Sequence, residues 1–266
     1  MLVFSSPISA LTLLLLAAGT PFEFQPTPIV PLTPAPRVVR VEADRDATLF
    51  ENTDGLLASG GGDGLFVGRT LQPVGSLRRA LLHFTPPDIP GGGNGQGVLQ
   101  GVELIHHASP TLPSQPEPAA LRLHEVLAQW NEGPSVSPAG IGALAEPGDT
   151  TWLHTSFAAD PVEASFWMHN GGQFGGVPLA SAIRGDDGTW RFSSPELTAL
   201  VLRWMADPDS NFGVIVLGNE HTAMSAKTIA SREHADASVH PVLELQVRSG
   251  VRSSVLSPDR VRRTAR

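Results

Sequence analysis

Acidic and carboxamide side chains near the two ends of the chain are the residues best suited to metal chemistry. Asn219 and Glu220 follow one strand-like segment, Glu233 follows another, and Asp46 lies beside the first strand. If the first and last strands pair, their oxygen atoms converge, and oxygen ligands without cysteine favour Ca²⁺ over Zn²⁺. We therefore predict a structural calcium site made of these four residues. The alternative is that the carboxylates form salt bridges with Arg232 or lie in solvated turns.

Three tryptophans are candidates for a carbohydrate-binding surface, because indole faces offer a large apolar area on which pyranose rings can stack. They are Trp152, Trp167 and Trp190, and each needs an exposed ring to bind a ligand. Arg79 and His83 share one face of a predicted strand, and we predict that they add polar contacts to the ligand. The alternative for each tryptophan is burial in the hydrophobic core.

No enzymatic motif is present in the sequence. It contains no Gly-x-Ser-x-Gly nucleophile elbow, no His-Glu-x-x-His zinc motif and no cysteine. Two glycine clusters, at residues 60–64 and 91–97, lack the lysine and the following helix of a phosphate-binding loop, so we predict hairpin loops there. Glycosidases use a pair of catalytic carboxylates, but this sequence has many acidic residues and no pattern that distinguishes one pair from another. We therefore predict a protein without catalytic residues.

Alternating apolar and polar residues predict most of the strands that position these groups. Residues 77–84 form the clearest strand, with Ala80, Leu82 and Phe84 on one face. Residues 214–217 are continuously apolar, which is typical of a strand buried on both faces. The other predicted strands are residues 38–43, 47–51, 98–108, 121–127, 152–157, 164–167, 227–233 and 239–247.

One short amphipathic helix is predicted at about residues 194–206. Ser194 is a typical N-cap, and Pro195 suits the first helical position. Apolar residues then recur at helical spacing and form a stripe that would face the strands: Leu197, Leu200, Val201 and Trp204. Many short strands separated by turns, together with a single helix, indicate an all-β protein, a β-sandwich of antiparallel strands.

The beginning of the chain predicts export. An apolar run at residues 8–18, followed by small residues, is typical of a signal peptide, here residues 1–19, and it is too short to span a bilayer. Residues 20–36 are rich in proline and are predicted to form an extended linker. The chain has no cysteine and no Asn-x-Ser/Thr sequon, which favours a bacterial extracellular protein.

Charge divides the remaining chain into a domain, residues 37–247, and a tail, residues 248–266. The tail holds six arginines against one aspartate, a net charge of +5, which is typical of a disordered terminal segment. Since the whole chain carries −8, the rest of it carries −13. An acidic domain argues against nucleic-acid binding.

Several segments together resemble DNRLRE (disaggregatase-related) domains. They are residues 79–84, 123–133, the Thr151-Trp152 pair, the capped helix, 212–220 and 227–233, and they span about residues 46–247 in order. His83 stands where the first strand of the family usually has arginine. The resemblance implies an extracellular jelly-roll sandwich of bacteria and archaea, similar to carbohydrate-binding modules. Such modules often hold a calcium ion where the chain ends meet, and the resemblance extends that expectation to this chain.

The sequence as a whole predicts a secreted, non-catalytic β-sandwich that binds extracellular polysaccharide or cell-wall glycan. We expect a monomer without a membrane-spanning segment and without a nucleic-acid partner. One alternative is a structural or adhesive extracellular surface domain with no specific small ligand. The other alternative is a polysaccharide-degrading enzyme.

Overall fold

The computed structural model describes residues 36–89, 98–108 and 120–248, and this part of the chain folds mainly into antiparallel strands. The strands are β1 (Arg37–Glu42), β2 (Arg45–Phe50), β3 (Leu57–Ala58), β4 (Gly64–Arg69), β5 (Leu77–His83), β6 (Val98–His107), β7 (Leu121–Glu125), β8 (Ala143–Leu144), β9 (His154–Ser156), β10 (Ser165–Phe166), β11 (Ala180–Ala182), β12 (Thr189–Ser193), β13 (Val214–Leu217), β14 (Lys227–Ala230) and β15 (Val242–Arg248). The helix is α1 (Pro195–Ala206). The predicted all-β sandwich with one amphipathic helix is confirmed.

Two larger sheets form the sandwich. The first has four strands in the order β1-β15-β6-β12. The second has seven, in the order β11-β7-β13-β5-β4-β14 with β2 also paired to β5. The first and last strands pair antiparallel, from Arg37 opposite Val247 to Glu42 opposite Val242, as the sequence predicts. The two ends of the domain are therefore held side by side in one sheet.

Two hydrophobic cores lie on opposite faces of the seven-stranded sheet. Leu82 of β5 and Leu104 of β6 belong to the core between the sheets, whereas Leu81 of β5 belongs to a second core on the outer face. Neighbouring side chains on a strand point to opposite faces, so β13 supplies Val216 to the first core and Ile215 to the second. All four residues of β13 are buried, as its apolar run predicts.

The helix begins and ends where the sequence predicts. The backbone N–H of Leu197 donates to Ser194 Oγ at 2.9 Å, which caps the first turn. The apolar stripe from Leu197 to Trp204 is buried in the core between the sheets. Pro208 follows the last helical residue by two positions and cannot extend the helix. The backbone N–H of Val102 on β6 donates to Thr198 Oγ1 at 3.2 Å, which ties the helix to the four-stranded sheet.

The glycine cluster at residues 60–64 does not form the predicted hairpin loop. The strands on its two sides have other partners, because β3 pairs with β8 and β4 pairs with β14 and β5. The backbone N–H groups of Gly60 and Gly61 both donate to the carbonyl oxygen of Ser135 at 3.0 Å. A Cβ atom at Gly60 would lie 2.1 Å from the carbonyl oxygen of Glu132. Glycine is required here because two distant backbone segments touch.

The sequence does not predict β3, β4, β8, β11 or β12. Four of these strands have five residues or fewer, and β4 has six, with glycine at its first and fifth positions. β12 spans five residues, and its alternation rests mainly on buried Trp190 and Phe192 beside exposed Arg191. It becomes a strand because it pairs with β6, where Trp190 lies opposite His106. Pairing of this kind is set by tertiary structure and leaves a weak local signal.

Several predictions fall outside the described residues. They concern the signal peptide at residues 1–19, nearly all of the linker at 20–36, the glycine loop at 91–97 and the tail beyond residue 248. The boundary between domain and tail differs by one residue from the prediction, because Arg248 is the last residue of β15 and pairs with Val98. No helix in the described ranges is long and apolar enough to cross a membrane.

Candidate functional site

Three carboxylates from distant parts of the chain form a cluster, here called the carboxylate cluster. Asp46 lies on β2, Glu132 lies in the segment after β7, and Glu233 lies three residues beyond β14. One carboxylate oxygen from each of them lies within 4.8 Å of the other two. The backbone N–H of Asp46 donates to Glu132 Oε1 at 2.7 Å, which fixes the first two residues relative to each other.

Arg232 contacts all three carboxylates of this cluster through its backbone and its side chain. Its backbone N–H donates to Asp46 Oδ2 at 2.7 Å. Its guanidinium forms a two-pronged salt bridge with Glu132, at 2.9 Å to Oε1 and 3.2 Å to Oε2, and its Nε lies 2.8 Å from Glu233 Oε1. One guanidinium faces three carboxylates, so two negative charges are uncompensated when all three are ionised.

Burial makes this excess of negative charge costly. Asp46 has no exposed surface, and burial together with the charge of Glu233 raises its pKa well above the ordinary value. Burial also raises the pKa of Glu233. Asp46 Oδ1 and Glu233 Oε2 are both buried, and neither has a hydrogen-bond partner in the described part of the chain. Each of these two atoms needs a hydrogen-bond donor or a cation, because an ionised carboxylate oxygen can only accept.

The predicted metal ligands are therefore only partly brought together. Asp46 and Glu233 converge, but Asn219 and Glu220 do not take part, and Glu132 occupies the site instead. Asn219 Oδ1 accepts the backbone N–H groups of His221 and Thr222 at 3.0 and 3.1 Å and so caps a turn. This part of the prediction is wrong because Asp46 and Glu220 lie near opposite ends of β5. Asp46 pairs with Leu82 near one end of that strand, and Glu220 binds Arg79 near the other.

Glu132 is the residue that sequence reasoning missed. It lies in the Trp130-Asn131-Glu132-Gly133 stretch, where the indole of Trp130 donates to the carbonyl oxygen of Phe212 at 2.9 Å. The backbone of Glu132 is then pressed against Gly60. The one sequence feature that could have indicated Glu132 is its position shortly after a clearly predicted strand. Acidic residues in loops are common, and periodicity does not single one out.

The three tryptophans proposed for sugar stacking are buried. Trp152, Trp167 and Trp190 are only 8%, 5% and 1% exposed. Trp152 and Trp167 belong to the outer core, where the indole N–H of Trp167 donates to the carbonyl oxygen of Thr151 at 2.9 Å, and Trp190 belongs to the core between the sheets. Their faces are unavailable to a ligand, so the prediction of a tryptophan surface is wrong. Trp152 and Trp167 flank the two-stranded sheet of β9 and β10, and their large apolar side chains help to cover the outer face of the seven-stranded sheet.

Arg79 and His83 are also engaged within the protein. Arg79 binds both carboxylate oxygens of Glu220, at 2.7 and 3.1 Å, and its guanidinium lies 4.8 Å from the ring of Trp152. His83 Nδ1 lies 2.5 Å from Asp44 Oδ1, and its Nε2 lies 3.3 Å from the carbonyl oxygen of Asn211. Both side chains stabilise the fold around β5, and their predicted role in ligand contact is corrected to a structural one.

A surface groove of about 410 Å³ is a separate candidate for ligand binding. Its walls are the segment after β2, the connection between β4 and β5, and the loop around Ile141. Val74 and Ile141 are exposed by 78% and 57%, so the groove has apolar edges. Polar side chains lie between them: Glu51, Asn52, Thr53, Gln72 and Arg78.

Hydrogen bonds hold the polar residues of the groove in place. Arg78 is buried, donates to the carbonyl oxygens of Gly75 and Leu77 at 2.8 Å, and lies 4.8 Å from the ring of Phe50. Burial lowers its pKa. Gln72 Oε1 accepts from Arg78 Nη2 at 3.0 Å, which leaves the amide group of Gln72 as a donor for a bound molecule. The groove therefore combines fixed polar groups with exposed apolar side chains.

Comparison with known proteins adds no family to this description. No protein-family model matches the chain, and a search of curated proteins found no match. Membership of the DNRLRE domain family stays a prediction.

Proposed function

We propose that this chain is a secreted, non-catalytic β-sandwich module that binds extracellular polysaccharide or cell-wall glycan in the groove beside Gln72, Val74 and Ile141. The observation that carries the proposal is the pairing of exposed apolar edges with fixed polar side chains in one groove. Sugars present C–H faces and hydroxyl groups together, and binding sites match them with apolar contact and a few placed hydrogen-bonding groups.

The charge of the groove favours a neutral glycan. Glu51 is its one acid and Arg78 its one base, and Arg78 is already held by backbone carbonyl oxygens. The chain as a whole carries −8, so an acidic polymer would be repelled at low ionic strength. A neutral hexose polymer needs no free cationic group in the groove and is not repelled by the net charge of the protein.

A second groove, of about 600 Å³, lies between α1 and the neighbouring strands β6 and β15. It is lined by Gln100, Thr198 and Gln246 among others. The first groove is the better candidate because exposed Val74 and Ile141 border its fixed polar side chains, whereas Thr198 in the second groove already accepts the backbone N–H of Val102.

The arrangement of hydroxyl, imidazole and carboxylate groups supports a non-catalytic role. Thr151 Oγ1 lies 2.9 Å from His154 Nδ1, but both residues are buried. Ser135 donates to Asp149, and this pair is buried as well. A nucleophile has to reach its substrate, so these pairs serve to fix loops.

A glycan array with the full-length protein tests the proposal, followed by calorimetry with any polysaccharide that binds. Val74→Asp and Ile141→Asp are expected to weaken binding by at least about tenfold, because each places a charge on an apolar edge. Val177→Asp is the matched control, since Val177 is 82% exposed and lies outside the groove.

Three outcomes of this experiment contradict the proposal in different ways. Equal binding by the groove variants and the wild type would place the glycan elsewhere on the protein. The absence of binding to any glycan would favour the structural or adhesive alternative. Release of new reducing ends from a bound polysaccharide would show an enzyme.

A further inference from the structure

We propose that the carboxylate cluster of Asp46, Glu132 and Glu233 binds a divalent cation, with Ca²⁺ as the preferred ion. This site is independent of the glycan groove. None of its three carboxylates lines that groove, and its members come from β2 and from the segments after β7 and β14.

The first argument is the presence of two buried acceptor atoms without partners. Asp46 Oδ1 and Glu233 Oε2 have no hydrogen-bond donor among the described residues, although the other oxygen of Asp46 accepts the backbone N–H of Arg232. Asp46 is fully buried. A buried acceptor that has lost its water destabilises the fold when nothing replaces that water. A cation between the carboxylates supplies what both oxygens lack.

The second argument is charge. The charged groups that act on Asp46 are Glu132, Glu233 and Arg232, three carboxylates in total with one guanidinium. A divalent cation brings the net charge of this group to zero. A monovalent ion would leave one negative charge in a site that is largely shielded from water, and buried charge without compensation is strongly disfavoured.

The third argument is the chemistry of the ligand atoms and the access of an ion to the cluster from solvent. All three ligands are carboxylates, which suit hard cations, and Ca²⁺ accepts irregular sets of six to eight oxygens more readily than Mg²⁺ does. The side chains of Glu132 and Glu233 are 18% and 24% exposed, and that of Arg232 is 36% exposed. An ion can reach the cluster from this side and keep some of its water ligands.

A shared proton between Asp46 and Glu233 is the competing explanation for the two unpartnered oxygens. A proton satisfies the pair at low pH, and a cation replaces it when the pH rises, so the two occupants compete. The groups facing the pair are Glu132 and Arg232, as the contacts above show. Cation binding is therefore expected to strengthen as the pH rises, because the ligands must be deprotonated.

The test uses the full-length protein with Ca²⁺ or with a chelator at about pH 8. Excess Ca²⁺ is expected to raise the Tm by roughly 5 °C, because a ligand that binds only the folded state stabilises it. Terbium, a luminescent substitute for Ca²⁺, provides a second measurement. Trp130 is two residues from Glu132 and can sensitise its emission, which Ca²⁺ should then quench by displacement.

Two variants and one control locate the ion. Asp46→Asn keeps an oxygen for the backbone N–H of Arg232, and its amide can donate to Glu233 as the shared proton would, so it should fold without responding to Ca²⁺. Glu233→Gln should lose the response in the same way. Glu163→Gln changes an exposed carboxylate outside the cluster and should respond like the wild type.

The proposal is overturned if wild-type protein shows the same Tm with Ca²⁺ and with chelator and no terbium emission. It is also overturned if Asp46→Asn and Glu233→Gln keep the full response, since the ion would then bind elsewhere. If Asp46→Asn does not fold, Glu233→Gln and the displacement of terbium from the wild type decide the matter. Glycan binding by folded Glu233→Gln should equal that of the wild type, which separates this proposal from the proposed function.

Discussion

The backbone N–H of Arg232 donates to Asp46 Oδ2 at 2.7 Å, across 186 positions of sequence. This bond joins the beginning of the domain to its last third. The side chain of the same arginine then binds Glu132, so one residue contacts three segments. The carboxylate cluster therefore holds distant segments of the domain together. Changes in its protonation are expected to change the free energy of unfolding.

Without a divalent cation, the contribution of Asp46 and Glu233 to the free energy of unfolding should fall as the pH rises above about 4. Burial raises the folded-state pKa values of Asp46 and Glu233 above the ordinary values of 3.8 and 4.5. Their contribution to stability is therefore full below those ordinary values and is lost as the pH rises through the raised ones. Urea unfolding in the presence of chelator measures this loss. Asp46→Asn should show a smaller loss, and an equal loss in the variant and the wild type would contradict the assignment.

His106 should produce the opposite pH dependence. It is fully buried, burial lowers its pKa to about 3, and neither ring nitrogen has a partner among the described residues. Its pKa in the unfolded chain is near 6.5, so stability is gained as the pH rises from about 3 to 6.5, by on the order of 5 kcal/mol.

The variant His106→Leu should be at least as stable as the wild type at pH 7 and should resist acid better. Leucine removes two unsatisfied nitrogen atoms from the core. Chemical unfolding at pH 7 and at about pH 4 measures both effects, with the exposed His169→Leu as control. A large loss of stability at pH 7 would show that the imidazole makes a contact that the apolar side chain cannot replace.

Glu220→Gln should destabilise the domain by about 3 kcal/mol, because it leaves Arg79 without its charged partner. The side chains of the pair are only 13% and 15% exposed. The response to Ca²⁺ should remain, since Glu220 is bound to Arg79 and lies outside the carboxylate cluster. Thermal unfolding with Ca²⁺ and with chelator measures both quantities. Loss of the Ca²⁺ response would restore Glu220 to the metal site.

Gly60→Ala should cost more than about 2 kcal/mol. Its Cβ atom would lie 2.1 Å from the carbonyl oxygen of Glu132, and backbone would have to move to make room. The movement should also weaken Ca²⁺ binding, because Glu132 would shift with its backbone. Gly176→Ala is the control, since no atom lies within 4 Å of the added methyl group. Equal unfolding midpoints for the two variants would contradict the close approach.

Export should remove the beginning of the chain, so that the mature protein starts near Thr20. The apolar run at residues 8–18 and the small residues after it carry this prediction. Mass spectrometry of protein from the native host measures the new N-terminus. Recovery of protein that still begins at Met1 or Leu2 would count against secretion.

The strands that alternate over seven or more residues could be predicted from the sequence, and the site could be predicted only in part. β5 and the cap of α1 depend on neighbouring residues, so their pattern is visible locally. Asp46 and Glu233 do meet, but not through the pairing of the domain ends: β1 pairs with β15 in one sheet, whereas β2 and β14 belong to the other. Glu132 could not be predicted, because its position depends on the close contact between its backbone and that of Gly60, which is distant in sequence.

The burial of the tryptophans could not be predicted for a related reason. A tryptophan in a loop has the same local sequence whether its loop covers a sheet or extends into water. Trp152 and Trp167 are buried because the segment after β7 folds back over the outer face of the seven-stranded sheet. Which segment covers this face depends on the tertiary structure of the whole domain, and short-range sequence patterns do not reveal it.

The pairing of β1 with β15 has a mechanical consequence. Arg37 lies opposite Val247, so the chain enters and leaves the domain at the same end of two neighbouring antiparallel strands, and β1 is the edge strand of its sheet. A force that pulls the two ends apart would break the hydrogen bonds between these strands one after another, as a zipper opens. Resistance to such a force is low compared with a geometry in which all bonds are sheared together. If this domain is stretched between two attachments, β1 is the first element to come away.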